Sequence, residues 1–85
     1  MRYKRERRYL DGLCKGHILD LVAEVGWSPI QCEMVKKRYL EFKSAPVICL
    51  ETAQSETQYT RNFNKICEKL ASYLKFKENE EMMQK

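Results

Sequence analysis

Polar side chains that can hydrogen-bond to nucleic acid recur on one side of a predicted helix in the C-terminal half of the chain. Hydroxyl, amide and guanidinium groups can contact base edges in the major groove, and lysine and arginine can bind phosphates. The competing interpretation is an ordinary solvated helix face, on which Gln58 only caps its own helix. The candidate DNA-binding residues are Glu56, Thr57, Gln58, Thr60, Arg61, Asn64 and Lys65.

A second pair that could do chemistry is Cys14 and His17, three residues apart in the sequence. On one helix they could act as a nucleophile and its base. The sequence shows no glycine-rich phosphate loop, oxyanion donor or metal cluster beside them, all of which would strengthen a catalytic interpretation. We therefore expect His17 to be a helix-face residue, and we expect neither enzymatic activity nor a cofactor.

The four cysteines, Cys14, Cys32, Cys49 and Cys67, lie 18, 17 and 18 residues apart. None forms the C-x-x-C pair that structural zinc sites usually contain. Each thiol falls on the apolar side of a predicted helix, and an intracellular setting keeps thiols reduced. We expect four buried, reduced cysteines and no metal site.

The elements that must position the polar face are a short helix, a three-residue interruption and a longer helix. Ser44 is expected to cap the short helix, and Pro46 fits its first turn. Val47, Ile48 and Leu50 are expected to supply its apolar contacts. The residues that interrupt the pattern are Thr52, Ala53 and Gln54.

The longer helix begins after Ser55, with Gln58 at the capping-box spacing of three residues. Its apolar positions fall on a single face, which predicts that this face packs on the core while the polar face remains in solvent. We expect this helix to end near Leu74. The apolar positions are Tyr59, Phe63, Ile66, Cys67, Leu70 and Leu74.

Two helices are expected before this pair. Apolar residues repeat at spacings of three and four through Tyr9–Val25, which predicts one amphipathic helix with Gly26 as its stop. Gly12 and Gly16 either allow another helix to approach closely or mark a break. The apolar stripe belongs to the domain's own core or to a homodimer interface. Its members are Leu10, Leu13, Cys14, Ile18, Leu21, Val22 and Val25.

The next helix starts with Ser28 as cap, Pro29 in the first turn and Gln31 at the capping-box position. It is expected to end near Lys43. Its buried stripe is predicted to consist of Cys32, Val35, Tyr39 and Phe42, with Met34 near the edge.

Length and composition predict one small all-α domain spanning residues 1–85, a bundle of about four helices. The net charge is +4, and the first nine residues alone carry +4, so residues 1–8 form a basic segment that is either an arm or a helix start. Such a charge distribution suits a polyanion partner. Residues 75–85 are expected to continue the last helix for a turn or two at most and then to fray. No apolar run of membrane-spanning length occurs, so we expect a cytoplasmic protein without membrane contact.

The motif from Arg38 onwards resembles region four of bacterial sigma factors. The resemblance runs without gaps from Ser28 to Leu74, 47 of the 85 residues. It is a pattern of caps and core positions rather than a catalytic signature. The residues that carry it are Ser28-Pro29, Arg38-Tyr39-Leu40-Glu41, Ser44, Ile48-Cys49, Ser55-Glu56 and Lys69-Leu70.

The resemblance implies a helix-turn-helix over residues 44–74 that binds double-stranded DNA and regulates transcription. It implies that Thr57, Gln58 and Arg61 face bases, whereas Thr60 and Lys65 contact phosphates. Ala53 departs from the family, which usually has glycine in the turn. Because region-four domains also contact RNA polymerase, the alternative is a protein-interaction module on the same fold. The chain looks like a stand-alone domain of the kind carried by phages and mobile elements.

Overall fold

The computed structural model describes the backbone of residues 3–83 and the side chains of residues 3–77. This part of the chain forms five α-helices and no β-strand, which confirms the all-α class. Helices α1, α3 and α4 each pack against α5, and α2 packs against α3. The helices are α1 (Lys4–Asp11), α2 (Lys15–Glu24), α3 (Pro29–Tyr39), α4 (Ala45–Glu51) and α5 (Glu56–Met83).

The prediction of one helix over Tyr9–Val25 is wrong, because this segment is divided between α1 and α2. Gly12 is the C-cap of α1, and Cys14 then adopts an extended backbone with φ −76° and ψ 165°. Glycine disfavours helix continuation, and the turn allows Leu10 and Ile18 to reach the same core. Gly12 therefore marks a break.

The basic N-terminal segment, for which the sequence left an arm or a helix start open, forms α1 from Lys4 onwards. Residues 1 and 2 lie outside the described part. The guanidinium carbon of Arg7 lies 4.5 Å from the centroid of the Phe63 ring in α5. Such a cation–π contact is worth about 0.5–2 kcal/mol, depending on how far the cation is desolvated. At least from Lys4, the segment is a docked helix.

The core lies between α5 and the other helices. Leu10, Ile18 and Leu21 are buried in it, so these members of the apolar stripe pack within the domain, as the core alternative predicted. The α5 face predicted from periodicity is confirmed, with Leu74 partly buried at its end. The buried members of that face are Tyr59, Phe63, Ile66, Cys67 and Leu70.

Trp27 is a core residue that the periodic patterns did not identify. It lies in the link between α2 and α3 and is buried, and its indole Nε1 donates a hydrogen bond of 3.1 Å to the Ile66 carbonyl oxygen in α5. Gly26 precedes it with φ +83°, a left-handed conformation that glycine adopts without steric cost. This confirms Gly26 as the stop after α2, and the same turn carries Trp27 into the core.

Three apolar residues predicted to make core contacts are exposed instead. Phe42 is 75% exposed, because α3 ends at Tyr39 rather than near Lys43 and the helical repeat stops before it. Met34 in α3 shows the opposite difference, because it is buried in the core instead of lying at its edge.

In the seven-residue α4, Ile48 faces inward together with Ala45 and Cys49. The same spacing leaves Val47 and Leu50 on the outer side, 41% and 84% exposed.

Helix α5 continues past Leu74 to Met83, so the expected continuation of a turn or two is present and extends slightly further than predicted. Residues 84 and 85 lie outside the described part. Despite its 28 residues, α5 is too polar to cross a bilayer, and none of the other described helices is long and apolar enough to do so.

Candidate nucleic-acid interface

A tight turn joins α4 to α5 and sets the direction in which α5 leaves. Thr52 ends α4 as its C-cap, and Ala53 then adopts a left-handed backbone with φ 54°. The Gln54 amide nitrogen donates 2.9 Å to the carbonyl oxygen of Cys49, which closes the turn back onto α4. The predicted interruption over residues 52–54 is therefore present, with alanine in the conformation that usually requires glycine.

Side-chain hydrogen bonds hold this turn to both helices. The Thr52 hydroxyl donates 2.6 Å to the Ile48 carbonyl oxygen, and the Gln54 side-chain amide donates 2.8 Å to Thr52 Oγ1. The Asn62 side-chain amide donates 2.7 Å to Gln54 Oε1. This chain runs from α4 through the turn into the second turn of α5. It stabilises the angle between the helices even though one turn residue is strained.

The first turn of α5 has the predicted capping box. The Gln58 amide nitrogen donates 3.2 Å to Ser55 Oγ, and the Ser55 amide nitrogen donates 3.0 Å to Gln58 Oε1. Gln58 thus uses its side-chain oxygen within its own helix, which supports the capping interpretation of this residue. Ser28 and Gln31 form the second predicted box, at the start of α3. Ser44 occupies the cap position of α4 but makes no side-chain capping hydrogen bond there.

The outward face of α5 brings most of the predicted binding residues together. Five of them line one shallow depression on the surface. Gln58 and Lys65 are exposed but lie outside it, while Asn64 is half-buried. Glu56, Thr57, Thr60 and Arg61 are exposed and can contact a partner without any rearrangement of the core. The five lining residues are Glu56, Thr57, Thr60, Arg61 and Asn64.

The inward face of the same helix segment is anchored by aromatic and cationic contacts. Arg7 and Arg38 place their guanidinium carbons 4.5 Å and 5.7 Å from the Phe63 ring centroid, and the Tyr59 and Phe63 rings lie 5.9 Å apart. Burial lowers the pKa of Arg38, but its interactions with Tyr59 and Tyr39 outweigh this effect and raise the pKa. Arg38 therefore stays cationic and joins the end of α3 to the start of α5.

The charge of the outward face is close to balanced. Arg61 and Lys65 are positive, while Glu56 in the first turn and Glu68 further along are negative. Glu56 has a structural reason to be there, because a carboxylate near the helix N-terminus complements the positive end of the helix dipole. The same carboxylate repels phosphate. The surface therefore favours polar recognition over strong non-specific attraction.

An ion cluster holds the C-terminal end of α4, directly before the turn. Glu51 accepts hydrogen bonds of 2.9 Å from Lys37 and 2.7 Å from Lys43, and Lys43 also lies 3.0 Å from Glu41. Hydrogen bonds from Lys43 and Lys37 lower the pKa of Glu51, and those with Glu51 and Glu41 raise the pKa of Lys43. These contacts connect the C-terminal part of α3 and the loop after it to the last residue of α4.

The cysteines divide into different environments. Cys67 is buried, as expected, and Cys32 and Cys49 are half-buried. Cys14 is exposed, which contradicts the prediction of four buried thiols, because the break after Gly12 places it at the start of α2. Its sulfur lies 3.4 Å from His17 Nδ1, so the predicted proximity of these two side chains is confirmed. Among the described residues no three metal-ligating side chains come together.

Comparison with known proteins gives no match: no protein-family model fits the chain, and no curated protein or solved structure is significantly similar to it.

Proposed function

We propose that the protein is a sequence-specific DNA-binding regulator of transcription that uses α4, the turn and α5 as a helix-turn-helix like that of sigma region four. The main support is the outward face of α5, where five polar residues predicted from the sequence line one surface depression. A helix that is anchored on one face and polar on the other, and follows a short turn, has the layout of a recognition helix.

Within this proposal the residues have different roles. Thr57 and Arg61 contact base edges, and the fork of Arg61 suits the two acceptors of guanine. Thr60 and Lys65 contact phosphates, which orient the helix without reading sequence. Gln58 serves mainly as the capping partner of Ser55, consistent with its observed hydrogen bonds.

The charge balance predicts weak non-specific binding for one copy of the domain. Because the recognition face has few cations, binding releases few counterions from DNA. Each phosphate that the protein neutralises contributes about −0.9 to the slope of the logarithm of affinity against the logarithm of salt concentration. A second copy on a symmetric site would increase the affinity. Leu10, Ile18 and Leu21 are buried in the domain and cannot contribute to the surface of such a homodimer.

A second candidate function is a protein-interaction module that binds RNA polymerase or another protein. The observation that favours it is the outer side of α4, where Val47 and Leu50 are exposed next to the same turn. Exposed apolar residues are common singly, so this surface supports the second function less strongly than the polar face supports the first.

Fluorescence anisotropy with labelled duplex DNA distinguishes the two functions. DNA binding predicts an affinity that falls as salt rises, and a loss of about 1–3 kcal/mol of specific binding in Arg61→Ala. Arg61→Lys is the matched control, because it keeps the charge but loses the planar fork. It should retain non-specific binding and lose discrimination between sequences. Lys65→Ala should mainly reduce the salt dependence.

The opposite result is also informative. If wild-type protein shows no DNA binding below high micromolar concentration at low salt, the DNA-binding proposal fails and the protein-interaction function is favoured. If Arg61→Ala and Lys65→Ala weaken binding equally on every sequence, Arg61 does not read bases.

A further inference from the structure

A cavity of about 740 Å³ lies between α1, α2 and the C-terminal half of α5. It shares no residue with the candidate DNA-binding face, and along α5 its residue Tyr73 is roughly 18 Å beyond Arg61 at 1.5 Å per residue. Its volume falls within the range of sites that hold small organic molecules, which is about 300–1,000 Å³. The cavity is therefore large enough for a ligand of its own.

The lining is apolar in part and basic on one side. Leu13, Leu21 and Leu74 contribute aliphatic surface, with Leu21 buried and the other two partly buried against the core. Two tyrosines, Tyr9 and Tyr73, supply aromatic surface. An apolar surface with a few polar groups is the usual composition of a small-molecule site.

The charged groups favour an anion. Arg5 and Arg8 on α1 and Lys77 on α5 line the cavity, against two carboxylates on α2. One of these, Glu24, already accepts a hydrogen bond from the Tyr73 hydroxyl. That hydrogen bond is the main cause that raises the pKa of Tyr73 to about 12, and it orients the Glu24 carboxylate towards the phenol. Asp20 is the other carboxylate. Glu24 keeps its negative charge, so the lining has three cations against two carboxylates, and its net charge remains positive.

We propose that this cavity binds an amphipathic organic anion. Its carboxylate or phosphate head group lies beside Arg8 and Lys77, and its short aliphatic or aromatic body covers Leu13 and Leu74. Because α2 packs mainly on α3 whereas α1 packs on α5, a ligand held by α1, α2 and α5 adds a direct connection between α2 and the other two helices. A ligand that binds only the folded state also raises the stability of the protein.

The test is an amide-resolved NMR titration with sodium octanoate as the probe, with octylammonium and 1-octanol as matched probes of opposite and zero charge. Octanoate should give saturable shifts in residues 5–13, 17–24 and 73–77 and leave residues 56–61 unchanged. Arg8 is exposed, so Arg8→Gln should fold normally. It should weaken octanoate roughly fivefold, the size of an exposed charge contact, and leave 1-octanol unaffected.

Lys36→Gln removes an exposed charge on α3 away from the cavity and serves as the control variant. Three results would overturn the proposal. The first is the absence of saturable shifts up to about 10 mM octanoate, a range that still detects millimolar affinity. The second is equal binding of octylammonium at the same amides. The third is an Arg8→Gln variant that binds octanoate as tightly as wild-type protein.

Discussion

The turn that directs α5 contains a strained alanine, and replacing it with glycine should stabilise the protein. Ala53 has φ 54°, a conformation that costs an L-residue about 1–2 kcal/mol relative to its preferred region. Glycine removes this cost but gains freedom in the unfolded chain, which offsets about 0.4–1 kcal/mol. The Ala53→Gly variant should therefore gain about 0.5–1 kcal/mol of unfolding free energy.

Thermal and urea denaturation followed by far-ultraviolet circular dichroism measure this gain. For a chain of this size about 1 kcal/mol corresponds to a shift of roughly 4–8 °C in Tm, so the expected rise is about 2–8 °C. DNA binding should be unchanged or improved, since the hydrogen bonds of Thr52, Gln54 and Asn62 still hold the turn.

Two glycines provide matched controls of opposite sign. Gly26 has φ +83°, and a Cβ there would meet no atom within 4 Å, so Gly26→Ala should lose about 1 kcal/mol through backbone strain alone. Gly16 also has open space but lies within α2, so Gly16→Ala should gain about 0.5–1 kcal/mol. If Ala53→Gly destabilises the protein while both controls behave as expected, the left-handed turn assigned here is wrong.

Three further predictions follow from the core, the thiols and the ion cluster. Leu70 is fully buried, so Leu70→Ala should cost about 2–5 kcal/mol in urea denaturation; an unchanged midpoint would show that the faces of α5 are misassigned. In pulsed iodoacetamide labelling read by mass spectrometry, exposed Cys14 should react in the native protein. Cys67 should react only on unfolding, because burial closes access and raises its pKa to about 11; equal labelling rates would contradict this. The lowered pKa of Glu51 means that its contribution is present above the ordinary glutamate value of 4.5 and is lost as pH falls below it. The fall in Tm on acidification should therefore be smaller in Glu51→Gln, and an identical pH profile would show that the cluster contributes nothing measurable.

The sequence predicted correctly those features that depend on interactions between residues close together in the chain. The capping boxes begun by Ser28 and Ser55, the stop at Gly26 and the apolar face of α5 all depend on contacts within a few residues, and the structure confirms them. The same locality explains why the interruption over residues 52–54 could be predicted.

The features that were missed depend on contacts between distant parts of the chain. Trp27 bonds to Ile66, 39 residues away, and no periodic pattern can reveal that partner. Gly12 and Gly16 are compatible with a continuous helix and with a break, so the local sequence does not decide between them. The division of Tyr9–Val25 into two helices depends on whether Leu10 and Ile18 can pack in one core. Leu50 carries the apolar signal of a core residue, but α4 is too short to bury both of its sides.

The central claim is that the outward face of α5 reads DNA sequence, and selection of bound duplexes from a random pool tests it most directly. Wild-type protein should enrich a defined short motif, and a palindromic motif would indicate a dimer. Arg61→Ala should lose the preference at one position of that motif. Enrichment of no motif by folded wild-type protein, or of the identical motif by Arg61→Ala, would contradict the claim.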